Sequence, residues 1–114
     1  MSDLSQADRM SAQILPVDHS DQSELLALMT RVICTSVTQD ATLQNSFIEN
    51  VTKNIERWAA DPTLSCHLKA VKYETIVGVI LIKKFWNLCS LFVDPECHRQ
   101  GIGRVLVIAA AEAT

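Results

Sequence analysis

The sequence predicts an α+β fold with the order β-α-α-β-β-β-loop-α, an antiparallel meander with helices packed on it. Three observations carry this. Two stretches in the first half repeat apolar residues at three- and four-residue spacing. From Thr63 to Val93 the pattern switches to alternation and β-branched runs. A glycine-containing loop, His98 to Gly103, then separates the last such run from the apolar segment Val105–Ala111.

Residues 1–11 are polar and aperiodic and read as a mobile tail ahead of a single domain over 12–114. The first strand is expected at Ala12–Val17, with Pro16 suited to an end or an edge. Asp18-His-Ser-Asp21 supplies helix-start chemistry, and Asp21 with Glu24 three residues on has the spacing of a capping box. Leu25, Leu28, Met29, Val32 and Ile33 make one stripe of a helix over about 22–36. Leu43, Phe47, Val51, Ile55 and Trp58 make the stripe of a second over about 42–60, which Pro62 ends.

The next strand alternates. Leu64, Cys66, Leu68 and Ala70 take one face and Ser65, His67 and Lys69 the other, so His67 is expected at the surface. Lys72–Thr75 reads as a turn, with Glu74 solvated. Ile76–Ile82 is apolar without alternation, as in a strand covered on both faces. Lys83–Asn87 turns the chain into a last strand, Leu88–Val93.

The 114 residues are 48% hydrophobic with three glycines and three prolines, which argues for a packed unit. A net charge of −3 without a basic run disfavours sequence-independent nucleic-acid binding. No apolar run reaches the roughly 18–20 residues of a membrane helix. The first residues also lack the pattern of a secretory signal. Cys34, Cys66, Cys89 and Cys97 show no CxxC spacing; their even number permits disulfides, but reduced thiols of a cytoplasmic protein fit the pattern. The pairs Cys66-His67 and Cys97-His98 hold adjacent residues, which on a strand point to opposite faces, so no metal site is expected.

A strand ending at Asp94-Pro95, a glycine loop and a helix start together form a ready site for a phosphate-bearing ligand. Small residues at Gly101 and Gly103 let the backbone approach a pyrophosphate, and the N–H groups from Arg99 to Arg104 can point at its oxygens. Arg99, Arg104 and a protonated His98 add charge.

The run Phe92-Val-Asp-Pro-Glu-Cys-His-Arg-Gln-Gly-Ile-Gly103 resembles the acetyl-CoA-binding motif of the GCN5-related N-acetyltransferase (GNAT) superfamily. The motif Gln/Arg-x-x-Gly-x-Gly/Ala maps onto His98-Arg99-Gln100-Gly101-Ile102-Gly103, with both glycines in register and His98 replacing the usual Gln or Arg. The preceding element order also matches the family's N-terminal half. The resemblance implies a mixed, mainly antiparallel sheet and acetyl-CoA as cosubstrate, with no metal. It implies that a primary amine of a small molecule or protein attacks the thioester directly. Pantetheine would lie along the backbone of Leu91, Phe92 and Val93, a main-chain N–H near Leu91 polarising the thioester carbonyl. His98, Arg99, Gln100, Gly101, Ile102, Gly103 and Arg104 would hold the pyrophosphate.

No catalytic residue carries over. Asn87 stands where some members place a carboxylate, and Cys89 reads equally well as a buried hydrophobe or an accessible thiol. The chain ends at Thr114 inside the third helix, so the family's later strands, which complete the coenzyme cleft, lie outside these residues. A strand edge is then left unpaired, and pairing of two copies through it is a compatible expectation. A coenzyme-binding or interaction module without turnover is the alternative reading.

Overall fold

The chain enters on β1 (Gln13–Pro16), whose last residue is the proline expected at an edge. It then builds β2 (Ser65–Lys72), β3 (Thr75–Lys83) and β4 (Asn87–Val93), in the spatial order β1-β2-β3-β4. All three pairings are antiparallel. The β2–β3 connection is the two-residue turn Tyr73–Glu74 with φ of 53° and 62°, the hand that suits the twist of a hairpin. These features come from a computed structural model that describes residues 12–83, 87–97 and 100–113. The expected tail over 1–11 and most of the β3–β4 connection lie outside those residues.

Helix α1 (Gln22–Val32) and helix α2 (Ala41–Ala60) cover one face of the sheet. There Leu25, Leu28, Met29, Val32, Val51, Ile55 and Trp58 pack on Ile76, Val79 and Leu81. Helix α3 (Ile102–Ala113) covers the other, setting Ile102, Leu106 and Ala110 on Ala70, Val77, Ile80 and Ile82. Every residue from Ile76 to Ile82 is buried, as the unbroken apolar run predicts for a strand sandwiched between helix layers. Among the described residues no helix is long and apolar enough to cross a membrane.

Three local expectations are corrected. Asp21 and Glu24 do not form a capping box. The chain enters α1 through a 3₁₀ turn, His19–Asp21, so the reciprocal bond moves upstream, with the Asp18 N–H donating to Asp21 Oδ2 at 2.8 Å. Glu24 is thereby free to leave its own helix and accept the Ile76 N–H at 2.8 Å.

The stripe of α2 is buried only in its second half. Val51, Ile55 and Trp58 are 4–5% exposed, while Leu43 and Phe47 are 49% and 40% exposed. Periodicity defines a face of the helix, but the first two turns of that face are only partly covered. Asp40 caps the same end by accepting the Leu43 N–H at 3.0 Å.

His67 is not at the surface. The alternation of β2 is as expected, but the face carrying His67 is roofed by Trp58 of α2, itself stacked on His19 of the 3₁₀ turn. The imidazole is 6% exposed and meets the edge of Trp58 with ring centroids 4.7 Å apart.

Two bulges shape the strands that lead to the glycine loop. Between the pairs Ala70↔Gly78 and Val71↔Ile76, β3 carries one extra residue, Val77. Between Leu81↔Ser90 and Ile82↔Leu88, β4 carries Cys89. The first bulge turns Val77 toward the α3 side, where Gly78 also faces. A Cβ at Gly78 would stand 3.1 Å from both Ile102 Cγ2 and Leu106 Cδ1, so α3 sits directly on the strand backbone.

Candidate functional site

Asp94 is the joint between β4 and the loop. It is buried, and all four of its hydrogen-bonding groups are engaged. Its N–H donates to the Val77 C=O at 2.7 Å, and its C=O accepts the Cys97 N–H at 2.8 Å. Oδ1 accepts the Glu96 N–H at 3.0 Å, and Oδ2 accepts from Arg31 Nη2 on α1 at 2.5 Å. The bonds to Glu96 and Cys97 wind the 3₁₀ turn Pro95–Cys97, which starts the chain toward Gly101.

The Asp94–Val77 bond also sets the phase of the β3–β4 ladder. Main-chain directions alternate along an antiparallel strand. Phe92 therefore faces β3, while the N–H and C=O groups of Leu91 and Val93 face the side of β4 that no described strand occupies. The Phe92 side chain packs into the α1–α2 core and that of Val93 into the α3 core, whereas Leu91 is exposed.

Gln100 and Gly101 form the bend ahead of α3, and Gly101 has φ of +75°, a left-handed conformation that disfavours any side chain. The first intrahelical bond runs from the Val105 N–H to the Gly101 C=O at 3.0 Å. The N–H groups of Ile102, Gly103 and Arg104 precede it and have no acceptor within the helix. They point outward at the positive end of the helix dipole. The Ile102 side chain is buried, so this residue can offer a ligand only its backbone; Arg104 is exposed. Gly103 lies against the strand end, since a Cβ there would be 3.7 Å from Val93 Cγ2.

Of the sequence-derived residues, Leu91 and Val93 present backbone groups on the open β4 edge, the first part of a ridge. Gln100, Gly101, Ile102, Gly103 and Arg104 form the bend and helix start that make its other part, and Phe92 is turned inward toward β3. His98 and Arg99 lie outside the described residues. Sequence reasoning missed three side chains that hold this ridge. Asp94 carried a readable signal, an Asp-Pro turn start. Arg31 carried none, because its partner is 63 positions away. Lys72, at the end of β2, donates to Gln100 Oε1 at 2.9 Å and brings a cation to the loop from the hairpin.

Glu74 and His67, two groups able to accept a proton, stand away from the open β4 edge. Glu74 sits exposed in the hairpin turn, and His67 lies two strands from β4 against Trp58. Burial lowers the His67 pKa to about 4, opposed in part by the nearby Asp21 charge, so the imidazole is neutral at pH 7. Cys89 sits in the β4 bulge with its thiol directed at the Asn87 C=O, 3.6 Å away. Burial raises the Cys97 thiol, with Asp94 adding to the shift, and burial raises the Cys66 thiol too. Neither is a thiolate nucleophile at neutral pH. Asn87, at the start of β4, is exposed.

An α1–α2 layer, an antiparallel sheet and a third helix entered through a glycine bend off the last strand define an acyltransferase-like α+β fold. The family model described as Acetyltransferase (GNAT) family matches residues 34–114. The chain belongs to the GNAT acetyltransferase family.

Solved structures agree on the fold. The PaiA N-acetyltransferase of Thermoplasma acidophilum, crystallised with coenzyme A, superposes with a TM-score of 0.71 at 22% identity, over 91% of this chain and 72% of that one. A GCN5-related N-acetyltransferase from Rhodopseudomonas palustris gives 0.75 at 18% identity, over 90% and 64%. A ribosomal-protein-alanine N-acetyltransferase from Brucella melitensis gives 0.63 at 21% identity, over 89% and 65%. The chain therefore spans about two thirds of the length of these proteins. No curated protein sequence matches it.

Proposed function

We propose that the chain is an N-acetyltransferase domain, or a portion of one over residues 12–114, that binds acetyl-CoA along the Leu91–Arg104 ridge. The observation that carries this is the succession of two sets of backbone groups that have no partner among the described residues. The open edge at Leu91 and Val93 leads, through Asp94 and the Gly101 bend, to the free N–H groups of Ile102, Gly103 and Arg104. An extended pantetheine arm with its own amides suits the first set, and a pyrophosphate suits the second. In this reading Gln100, Arg104 and, from outside the described residues, His98 and Arg99 complete the phosphate end.

The reaction is direct acyl transfer in a ternary complex. The nitrogen lone pair of a primary amine attacks the thioester carbonyl carbon, and the edge N–H near Leu91 stabilises the oxyanion. The C–S bond then breaks, and the proton that the nitrogen loses ends on the departing sulfur, by way of solvent, so coenzyme A leaves as the thiol. The acceptor is a small molecule or protein amine, and no metal takes part.

Calorimetry with acetyl-CoA is the direct test, followed by thiol release across a panel of amines. Saturable binding with release for at least one amine supports the reading; absence of binding to folded protein overturns it.

One observation favours a second reading, a coenzyme-binding module without turnover. Asn87 stands where the family resemblance places a carboxylate in some members, and an amide does not accept the amine proton. Binding without thiol release for any amine selects it.

Two further assignments belong to the same proposal. The open β4 edge carries exposed Leu88 and Leu91, a surface through which a second copy pairs; sedimentation showing only monomer at high concentration argues against it. The free thiols suit a reducing compartment, so we place the protein in the cytoplasm.

A further inference from the structure

We propose that Arg31, on a helix with no residue in the ligand ridge, is a positioning residue that sets the geometry of the Gly101 bend through Asp94. The ligand half of this inference rests on the acetyl-CoA reading above; the positioning half does not.

Helix α1 grips both sides of the β3 bulge. Glu24 Oε2 accepts the Ile76 N–H at 2.8 Å, the next residue, Val77, accepts the Asp94 N–H at 2.7 Å, and Asp94 Oδ2 returns to α1 at Arg31. Glu24 and Arg31 lie two helical turns apart and flank the buried stripe, so one rigid element fixes the circuit at both ends. Asp94 has a side chain only 7% exposed, whereas that of Arg31 is 48% exposed. The carboxylate is the buried partner and the guanidinium is its countercharge.

Taking Arg31 away leaves a buried carboxylate with one N–H contact on its turn, from Glu96, and no cation on Oδ2. The carboxylate then has to turn toward water, and it cannot do so without dragging the Pro95–Cys97 turn held by Oδ1 and the Asp94 C=O. That turn feeds Gln100 and Gly101 within a few residues. Lys72 restrains the far side of the same bend through Gln100, so the loop is hung between two cations, one from each side of the sheet's end. Displacing one support tilts the free N–H groups of Ile102 to Arg104 away from their common focus.

A purely stabilising ion pair predicts a lower melting temperature and nothing local. The positioning role predicts a local change in ligand-free, folded protein. Amide spectra of the wild type, Arg31→Met and Arg31→Lys separate the two. Arg31→Met keeps the apolar stem, and it should shift or broaden the Gln100, Gly101, Gly103 and Arg104 amides while leaving those of Val51 and Ile55 in place. Arg31→Lys keeps a cation and should restore most of the loop shifts. A folded Arg31→Met protein with unmoved loop amides overturns the inference.

Should Arg31→Met fail to fold, Asp94→Asn discharges the pair while retaining an acceptor for Glu96. The same amides must move there, and unmoved amides again overturn the inference. Calorimetry tests the ligand half. Arg31→Met should weaken coenzyme A binding by about tenfold or more, and Arg31→Lys should stay within about threefold of wild type. Wild-type protein that binds no coenzyme A refutes the acetyl-CoA reading, and the amide shifts still decide the positioning claim.

Discussion

The His67 imidazole meets the Trp58 indole edge-on, 4.7 Å between centroids at 81°, and its Nδ1 is fully buried without a hydrogen-bond partner among the described residues. The ring thus packs as an aromatic and has no acceptor for a second proton. Burial holds its pKa near 4, below the ordinary value of 6.5. Between those two values the unfolded chain binds a proton that the folded chain refuses. Stability should therefore fall as pH drops from about 6.5 to about 4, by up to roughly 3 kcal/mol at one pK unit per ~1.4 kcal/mol. Urea unfolding across that range measures it. His67→Phe keeps the edge contact, removes the unpaired nitrogen and should flatten the profile. A wild-type midpoint that does not change from pH 7 to pH 4.5 would refute the account. Asp18, held below its usual pKa chiefly by the Ser20 hydroxyl, titrates beneath this window and does not confuse it.

The two glycines of the loop should respond in opposite ways. Gly101 has open space around a notional Cβ but a φ of +75°, so Gly101→Ala is penalised by backbone conformation alone, about 1–2 kcal/mol. Gly103 lies in the first turn of α3, and a Cβ there makes ordinary contact with Val93. Gly103→Ala should be neutral or stabilising by up to ~1 kcal/mol, through helix propensity. Chemical denaturation of both variants reads the sign directly. In the acetyl-CoA reading, coenzyme affinity should follow the same order, with Gly101→Ala the weaker binder.

What the sequence revealed and what it hid divide along range of interaction. Helix stripes, the buried β3 run and the Gly101 bend are written in neighbours a few positions apart, and periodicity or turn chemistry reads them. Alternation in β2 correctly separated His67 from Cys66 and Leu68, but it cannot say which face another layer will cover. The capping box at Asp21 failed because a 3₁₀ turn and a bulged strand competed for the same carboxylates. The Arg31–Asp94 bond had no local mark on the arginine side, and the bulges at Val77 and Cys89 depend on pairing that no single strand encodes.

Helix α2 turns this distinction into a measurement. Its stripe contains Leu43 and Ile55 with equal sequence standing, yet Leu43 is 49% exposed and Ile55 5%. Ile55→Ala should destabilise by about 2–5 kcal/mol, because it opens a cavity under α1 and β3. Leu43→Gln should stay within about 0.5 kcal/mol, since half of that side chain already meets water. Paired thermal melts decide this, and comparable losses for the two would mean that an unseen surface covers the start of α2.

The contact between Gly78 and α3 offers the sharpest steric test of how the sheet delivers the candidate site. An added Cβ would sit 3.1 Å from Ile102 Cγ2 and from Leu106 Cδ1, and 3.3 Å from the Phe92 carbonyl oxygen. The two side chains can yield a few tenths of an ångström, but the Phe92 oxygen belongs to the β3–β4 ladder and cannot. Relief must come from α3 lifting off the strand at its first turn, where the free N–H groups lie. Gly78→Ala should therefore destabilise by about 1–3 kcal/mol, the usual range for overpacking. It should also displace the amide resonances of Ile102 to Leu106 more than those of Ala109 to Ala113. Leu106→Ala in the same background restores room beneath the helix. The double variant should lose less stability than the sum of the two singles, a coupling that only direct contact produces. Strict additivity would refute the steric account.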